Sequence, residues 1–255
     1  MKWLERLRTY RILKKHGLPD HLWHKTTQKL ALLNYLDANQ MAKLRILSTL
    51  FIYRKIFFGA HDFEITLEMK IIIAAQACLE IMELGIDSFE GWAEVVVYPS
   101  AFKVERETRD ANGLVSTENN VLSGEAWGKG PVILSWEDVV RDSFTLRGGH
   151  NVVIHEFAHK LDMLNGRANG MPPLHPEMKT SEWTASLSYA YERLIDQLKH
   201  NSNEVNAYAS TNPAEFFAVM SEYYFTAPQI LIKHYPKVYR ELKAYYLIEI
   251  TTNKK

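Results

Sequence analysis

The stretch NVVIHEFAHKLDMLNG, residues 151–166, limits what this chain can be more than any other. Gly148-Gly149 precede it and Asn165-Gly166 follow it. Glycine is a poor helix interior and a good helix stop, so the spacing predicts a helix from about 150 to 164. Val152, Val153, Phe157, Ala158, Leu161 and Leu164 supply apolar faces, so the helix belongs inside the molecule. His155 and His159 are four apart and share one face, so both imidazoles can reach one ion from a single rigid element. Glu156 is rotated by about 100°. It sits beside such an ion without ligating it, where it can accept a proton from water, which is the mechanical content of H-E-x-x-H. The competing reading is two core histidines bonded to backbone or carboxylates. Two imidazoles on the core side of an apolar helix are costly unless paired or ligating.

A catalytic tetrahedral site needs a third protein donor and an open position. Position 162 is Asp and position 165 is Asn, so the same run offers no further histidine. In NAYASTNPAEFFAVMSEYYF, residues 206–225, Asn212 and Pro213 read as the cap and first residue of an apolar helix. Glu215 falls in its first turn and Glu222 two turns later on the same face. Asn212-x-x-Glu215 is also a capping-box spacing, in which Glu215 only bonds backbone and Glu222 is the ligand. Glu204, in a polar loop, is a weaker option. Asp162 is placed to accept an N–H from His159, or else to make a polar contact at the helix end.

With 255 residues, 47% hydrophobic and 24% charged, the chain can bury a sizeable core. We expect a single domain over 1–255, with a helical N-terminal part (1–90) and a part carrying the sheet and the metal-site helices (91–255). Thirty basic residues balance thirty acidic ones, so no bulk charge attracts nucleic acid directly. The one cysteine, Cys78, reads as a core residue and fits a reducing compartment. No apolar run approaches the roughly 18 residues of a membrane span, and the basic N-terminal segment lacks a signal-peptide core. The expectation is a cytoplasmic chain without a membrane span. Trp3, Leu4, Leu7 and Tyr10 fall on one helical face, read as packed onto the body, with a partner- or membrane-surface helix as the alternative.

Along the chain, Leu18-Pro19-Asp20 opens a helical segment. Asp37 and Gln40 have capping-box spacing, predicting a helix that runs to Gly59. Thr66 caps another, apolar nearly all round, that runs to Gly85. EVVVY (94–98) and PVILS (131–135) read as strands. Between them a polar stretch predicts a hairpin at Asn112-Gly113. The last third is helical, with loops at 165–178 and 200–207. The fold class is α+β, a small sheet in the middle flanked by helices. GPVILSW reads equally as a core strand or as an edge strand on which a peptide pairs, and GEAW (124–127) as a turn or as a lining of the cleft.

GHNVVIHEFAHKLD together with AYASTNPAEFFAVMSEYYF closely resembles the Mlc titration factor A family of bacterial zinc metallopeptidases. IIIAAQACLEIMELG, VVVYPSAF and GEAWGKGPVILSW resemble it too, so the likeness covers roughly residues 10–245. The spacing from HEFAH to Tyr208 and Glu215 is similar, more distantly, to the catalytic domain of anthrax lethal factor. The resemblance implies a zincin-like fold, with the HExxH helix and a small central sheet packed against N- and C-terminal helices. It implies Zn²⁺ held by His155, His159 and Glu215, with Glu156 as the catalytic glutamate and Tyr208 near the metal. A peptide substrate, aminopeptidase-type activity and a partner that is a glucose-responsive transcriptional repressor of sugar uptake are further implications. On this reading Glu156 moves the proton of the attacking water and Tyr208 donates to the developing oxyanion. The alternative is a regulatory protein that sequesters its partner without catalysis. Intact Glu156 and Tyr208 favour the peptidase, because a structural metal site needs neither.

Overall fold

The computed structural model describes residues 2–100, 102–109, 115–122, 124–126, 130–145 and 148–250. In chain order these form α1 (Lys2–His16), α2 (Asp20–Thr27), α3 (Ala38–Arg54), β1 (Ile56–Gly59), α4 (Leu67–Glu80) and β2 (Glu94–Tyr98). There follow β3 (Phe102–Arg109), β4 (Val115–Leu122), β5 (Gly124–Ala126), β6 (Val132–Ser135), α5 (Trp136–Ser143) and α6 (Val152–Asp162). The chain then closes with α7 (Thr180–Lys199), α8 (Pro213–Thr226), α9 (Pro228–His234) and α10 (Pro236–Tyr246). One sheet has the order β1-β2-β6-β5, with β1, β2 and β6 parallel and β5 antiparallel to β6. The fold is α+β and zincin-like, as the sequence implied.

Local chemistry explains most of the boundaries. Asp37 and Gln40 exchange side-chain-to-backbone hydrogen bonds of 2.9 Å each, a complete capping box that starts α3. Thr66 accepts from the Met69 N–H and starts α4. That helix is buried along its whole interior, from Ile71 through Leu79, as its all-round apolar pattern requires. It ends at Glu80, short of the predicted stop at Gly85, which lies at φ +90° beyond a turn.

Around the sheet one expectation changes and one open reading resolves. The helix predicted to reach Gly59 ends at Arg54, because the Lys55 backbone turns extended and its buried Nζ is captured by the carbonyls of Phe89 and Trp92. Ile56 to Gly59, rich in aromatic and branched side chains, then pairs in parallel with Glu94 to Val97 as β1. The open reading is GPVILSW, taken equally as a core or an edge strand. Val132–Ser135 lies between β2 and β5, so it is an interior strand, and the edge belongs to β5. β3 and β4 pair antiparallel, as the hairpin reading required, while its turn at Asn112-Gly113 lies outside the described residues.

The apolar stripe of α1 is not the face that packs. Ile12 is buried on the side turned to the body, whereas Trp3, Leu4 and Tyr10 are 69%, 65% and 62% exposed.

The HExxH helix, α6, is fixed from behind. Phe157, on the side of α6 away from the histidines, packs its ring against Phe51 at 5.5 Å, Phe89 at 5.2 Å and Trp92 at 5.8 Å. Burying one such ring stabilises by roughly 1.5–3 kcal/mol. Lys55 lies 3.5 Å and Lys160 4.9 Å from the Trp92 ring centre, so two cations bracket this cluster. Lys160 Nζ also donates to the Gly130 carbonyl at 2.8 Å, which ties α6 to the start of β6.

Candidate metal centre

The start of α6 is where the site is assembled. A buried helix N-terminus leaves backbone donors to satisfy. Here Asn151 accepts from the Ile154 N–H at 2.9 Å, Asp142 from the Val152 N–H at 3.1 Å, and Glu222 from the Asn151 N–H at 2.6 Å. The Asn151 side chain donates to Gln76 on α4 at 2.7 Å. Gly149 stands at φ +81°, and a Cβ there would lie 2.0 Å from the Tyr223 ring, so this turn admits only glycine.

His155 and His159 project from one face of α6, their ring centres 4.9 Å apart and their planes at 84°. Glu215 Oε2, from the first turn of α8, lies 3.0 Å from His155 Nε2 and 3.2 Å from His159 Nε2. One ligand atom from each of the three residues lies within 4.8 Å of the other two. The second nitrogen of His155, Nδ1, faces Glu222 Oε1 at 2.8 Å. Burial disfavours the His155 cation, but the hydrogen bonds to Glu215 and Glu222 outweigh it and hold the pKa well above the usual imidazole value. Burial likewise opposes ionisation of Glu215, yet the hydrogen bonds from His155 and His159 hold its carboxyl well below the ordinary carboxylate range. Each shift favours the charged form of its own group.

The position of Glu215 follows from its helix start. Asn212 accepts from the Glu215 N–H at 3.0 Å with Pro213 as the first helical residue. Only that half of the capping box forms, and the Glu215 carboxylate turns to the imidazoles. Glu222, seven residues on and thus on the same face, reaches the far side of the His155 ring. Glu204 is engaged elsewhere, with Gln197 at 3.0 Å and His234 at 3.1 Å.

Glu156 is buried in α6 beside the three converging side chains. Its charge favours the cationic forms of His155 and Lys160, although burial pushes the Lys160 amine down to about 8. Tyr208 is half exposed in a 3-10 turn over Ala207–Ser210, its ring 5.9 Å from that of His155. Two contacts set this turn. Asn206 Oδ1 accepts from the Tyr208 N–H at 3.0 Å, and the Asn206 N–H donates to the Tyr223 hydroxyl at 3.1 Å.

Asp162 does not meet His159. Its Oδ2 accepts from the Asn169 and Gly170 N–H groups at 2.8 and 2.7 Å, while Oδ1 and His159 Nδ1 are both buried without a hydrogen bond among the described residues. Asp162 thus holds the 165–178 loop, whose Gly170 abuts the Pro213 carbonyl so closely that a Cβ would come within 2.5 Å. Sequence reasoning missed this tether, the Tyr223 brace and the Glu222–His155 contact. Only the last had a readable signal, the seven-residue spacing of Glu215 and Glu222. Of GEAW, Gly124–Ala126 forms β5 against α6, and Trp127 lies outside the described residues.

Two imidazoles and a carboxylate converging on one point are the donor set of a catalytic divalent site. With the far nitrogen of His155 already bonded to Glu222, these residues fit a metal ion. The comparisons agree. The family model for glucose-regulated metallo-peptidase M90 matches residues 3–247. An uncharacterised protein of Synechocystis sp. is 36% identical over 243 residues, 94% of this chain and 88% of its own length. Mlc titration factor A of Serratia proteamaculans is 39% identical, and that of Escherichia fergusonii 38%, each over 219 residues, 84% of this chain and 82% of theirs. The chain belongs to the M90 family of metallopeptidases.

Proposed function

We propose that this chain is a zinc-dependent peptidase of aminopeptidase type, acting as one metallopeptidase domain. The convergence of His155, His159 and Glu215 within 4.8 Å, beside a buried Glu156, carries this reading. His155, His159 and Glu215 hold the ion, and when bound it supplies Lewis acidity to a carbonyl and to a water molecule. Glu156 takes the proton from the attacking water and delivers it to the leaving amine. Tyr208, at the open side of the site, donates a hydrogen bond to the oxyanion as it develops. Glu222 keeps the His155 ring oriented through Nδ1. The edge strand β5, lying against α6, offers backbone groups on which an extended peptide can pair.

The name Mlc titration factor A, carried by two of these relatives, supports a second role on the same chain, binding of an Mlc-like protein, which the family resemblance implies is a transcriptional repressor of sugar uptake. We place the protein in the cytoplasm. Its single buried cysteine suits a reducing compartment, and no helix among the described residues is long and apolar enough to cross a membrane.

The test is hydrolysis of peptides with free and with blocked amino termini, before chelation, after it, and after readdition of single metals. Activity restored by zinc, on free termini in preference, is expected. Hydrolysis indifferent to chelation would contradict the metal-dependent mechanism, and no hydrolysis with any metal would leave the chain as a binding protein without catalysis.

A further inference from the structure

We propose that α1 is a docking element for a membrane surface bearing anionic lipid headgroups. Three observations point there. The first is the exposure of Trp3, Leu4 and Tyr10, with Leu7 half buried, although α1 has a true core face in Ile12. At about 100° per residue, Trp3, Leu4, Leu7, Tyr10, Arg11 and Lys14 share one outward sector of the helix, with Arg8 and Lys15 at its border.

The second is charge. Residues 2–16 carry six basic side chains against one acid, Glu5, leaving 24 basic and 29 acidic residues in the rest of a formally neutral chain. Arg6, Arg8, Arg11, Lys14 and Lys15 are all exposed, and none has an ion-pair partner among the described residues. The positive charge that balances the whole chain is thus concentrated on one surface helix.

The third is the mixture itself. On a helix lying in a bilayer interface, short apolar and aromatic side chains reach toward the acyl chains, while the longer arginines and lysines extend to the phosphates. Tryptophan and tyrosine favour that level because each has an apolar body and a polar edge. Tyr53, half exposed on α3, lines one cleft with Trp3, Leu4, Leu7, Arg8 and Arg11. An acidic protein partner could use the same cations and aromatic side chains, and the vesicle comparison below separates the two.

The test is flotation of the full chain with vesicles of phosphatidylcholine and phosphatidylglycerol in equal parts, against vesicles of phosphatidylcholine alone, at low ionic strength. Wild type is expected to float with the anionic vesicles only. Arg11→Gln and Lys15→Gln should each lower partitioning about fivefold, and added salt should release the protein. Trp3→Ser with Leu4→Ser should also lower it, while thermal melting stays unchanged, because these side chains touch no core. Wild type that stays out of anionic vesicles overturns the proposal and leaves the surface to a protein partner. Flotation indifferent to both sets of substitutions overturns it as well.

Discussion

His155 Nδ1 lies 2.8 Å from Glu222 Oε1, so one imidazole is held between two carboxylates of the same helix, Glu222 on one side and Glu215 on the other. The two glutamates can therefore be separated by experiment. Glu215→Ala removes a ligand and should abolish stable metal binding. Glu222→Gln keeps the shape but loses the charge, and should weaken metal affinity by about 10–100-fold. Competition with a chromogenic chelator measures both. Metal loss confined to the Glu222 variant would mean that the ligand has been assigned to the wrong carboxylate.

Tyr208→Phe should lower turnover by one to three orders of magnitude, guided by the ~10²–10³ of a lost oxyanion donor. Metal content should stay the same, because the phenol is asked to act only in the transition state. Unchanged turnover at full metal occupancy would make Tyr208 a surface tyrosine. Lost metal would make it a ligand or the support of one.

Tyr223→Phe removes the hydroxyl that accepts the Asn206 N–H while keeping the ring that fills the space over Gly149. The Tyr208 turn should loosen and the helix should not. We expect kcat to fall several-fold, with KM and metal affinity nearly constant. A fall in metal affinity instead would show that Tyr223 acts through α6.

Much of this site was legible in the sequence, because its parts are local. The HExxH pair needs only helix periodicity, and the start of α8 needs only Asn212 and Pro213. The capping box of α3 and the apolar run of α4 belong to the same class. What the sequence hid depends on contacts between distant segments. Lys55 ends α3 early only because carbonyls of residues 89 and 92 lie there to capture its amine. Val132–Ser135 is interior only because β5 folds back beside it. Asp162 has the right spacing to meet His159, yet its Oδ2 goes to the backbone of residues 169 and 170 and its Oδ1 makes no hydrogen bond among the described residues. On α1 the helical face was correct and its direction was not, since periodicity says which residues share a side and not which side finds a neighbour.

Glu80 offers a test of the buried electrostatics behind the site. Neither of its oxygens has a hydrogen-bond partner among the described residues. Burial raises its pKa well above the ordinary 4.5, with Glu222 adding to the rise and His155 opposing it. Above the unfolded value the folded chain then keeps a proton that the unfolded chain has released. Stability should fall as pH rises through that window, by up to about 1.4 kcal/mol per pH unit from this group. Glu80→Gln should match wild type at low pH and exceed it at neutral pH. Urea denaturation across a pH series measures the difference. Equal stability of the two chains at every pH would show that Glu80 is ionised in the fold.

The central claim is that Glu156 moves the proton while His155, His159 and Glu215 hold the metal. Glu156→Gln is nearly isosteric and leaves all three proposed ligands in place. The decisive measurement is turnover of a peptide substrate by this variant at verified full zinc occupancy. A loss of at least about 10²-fold with unchanged metal content is predicted. Turnover near that of wild type in the zinc-loaded variant would contradict the account.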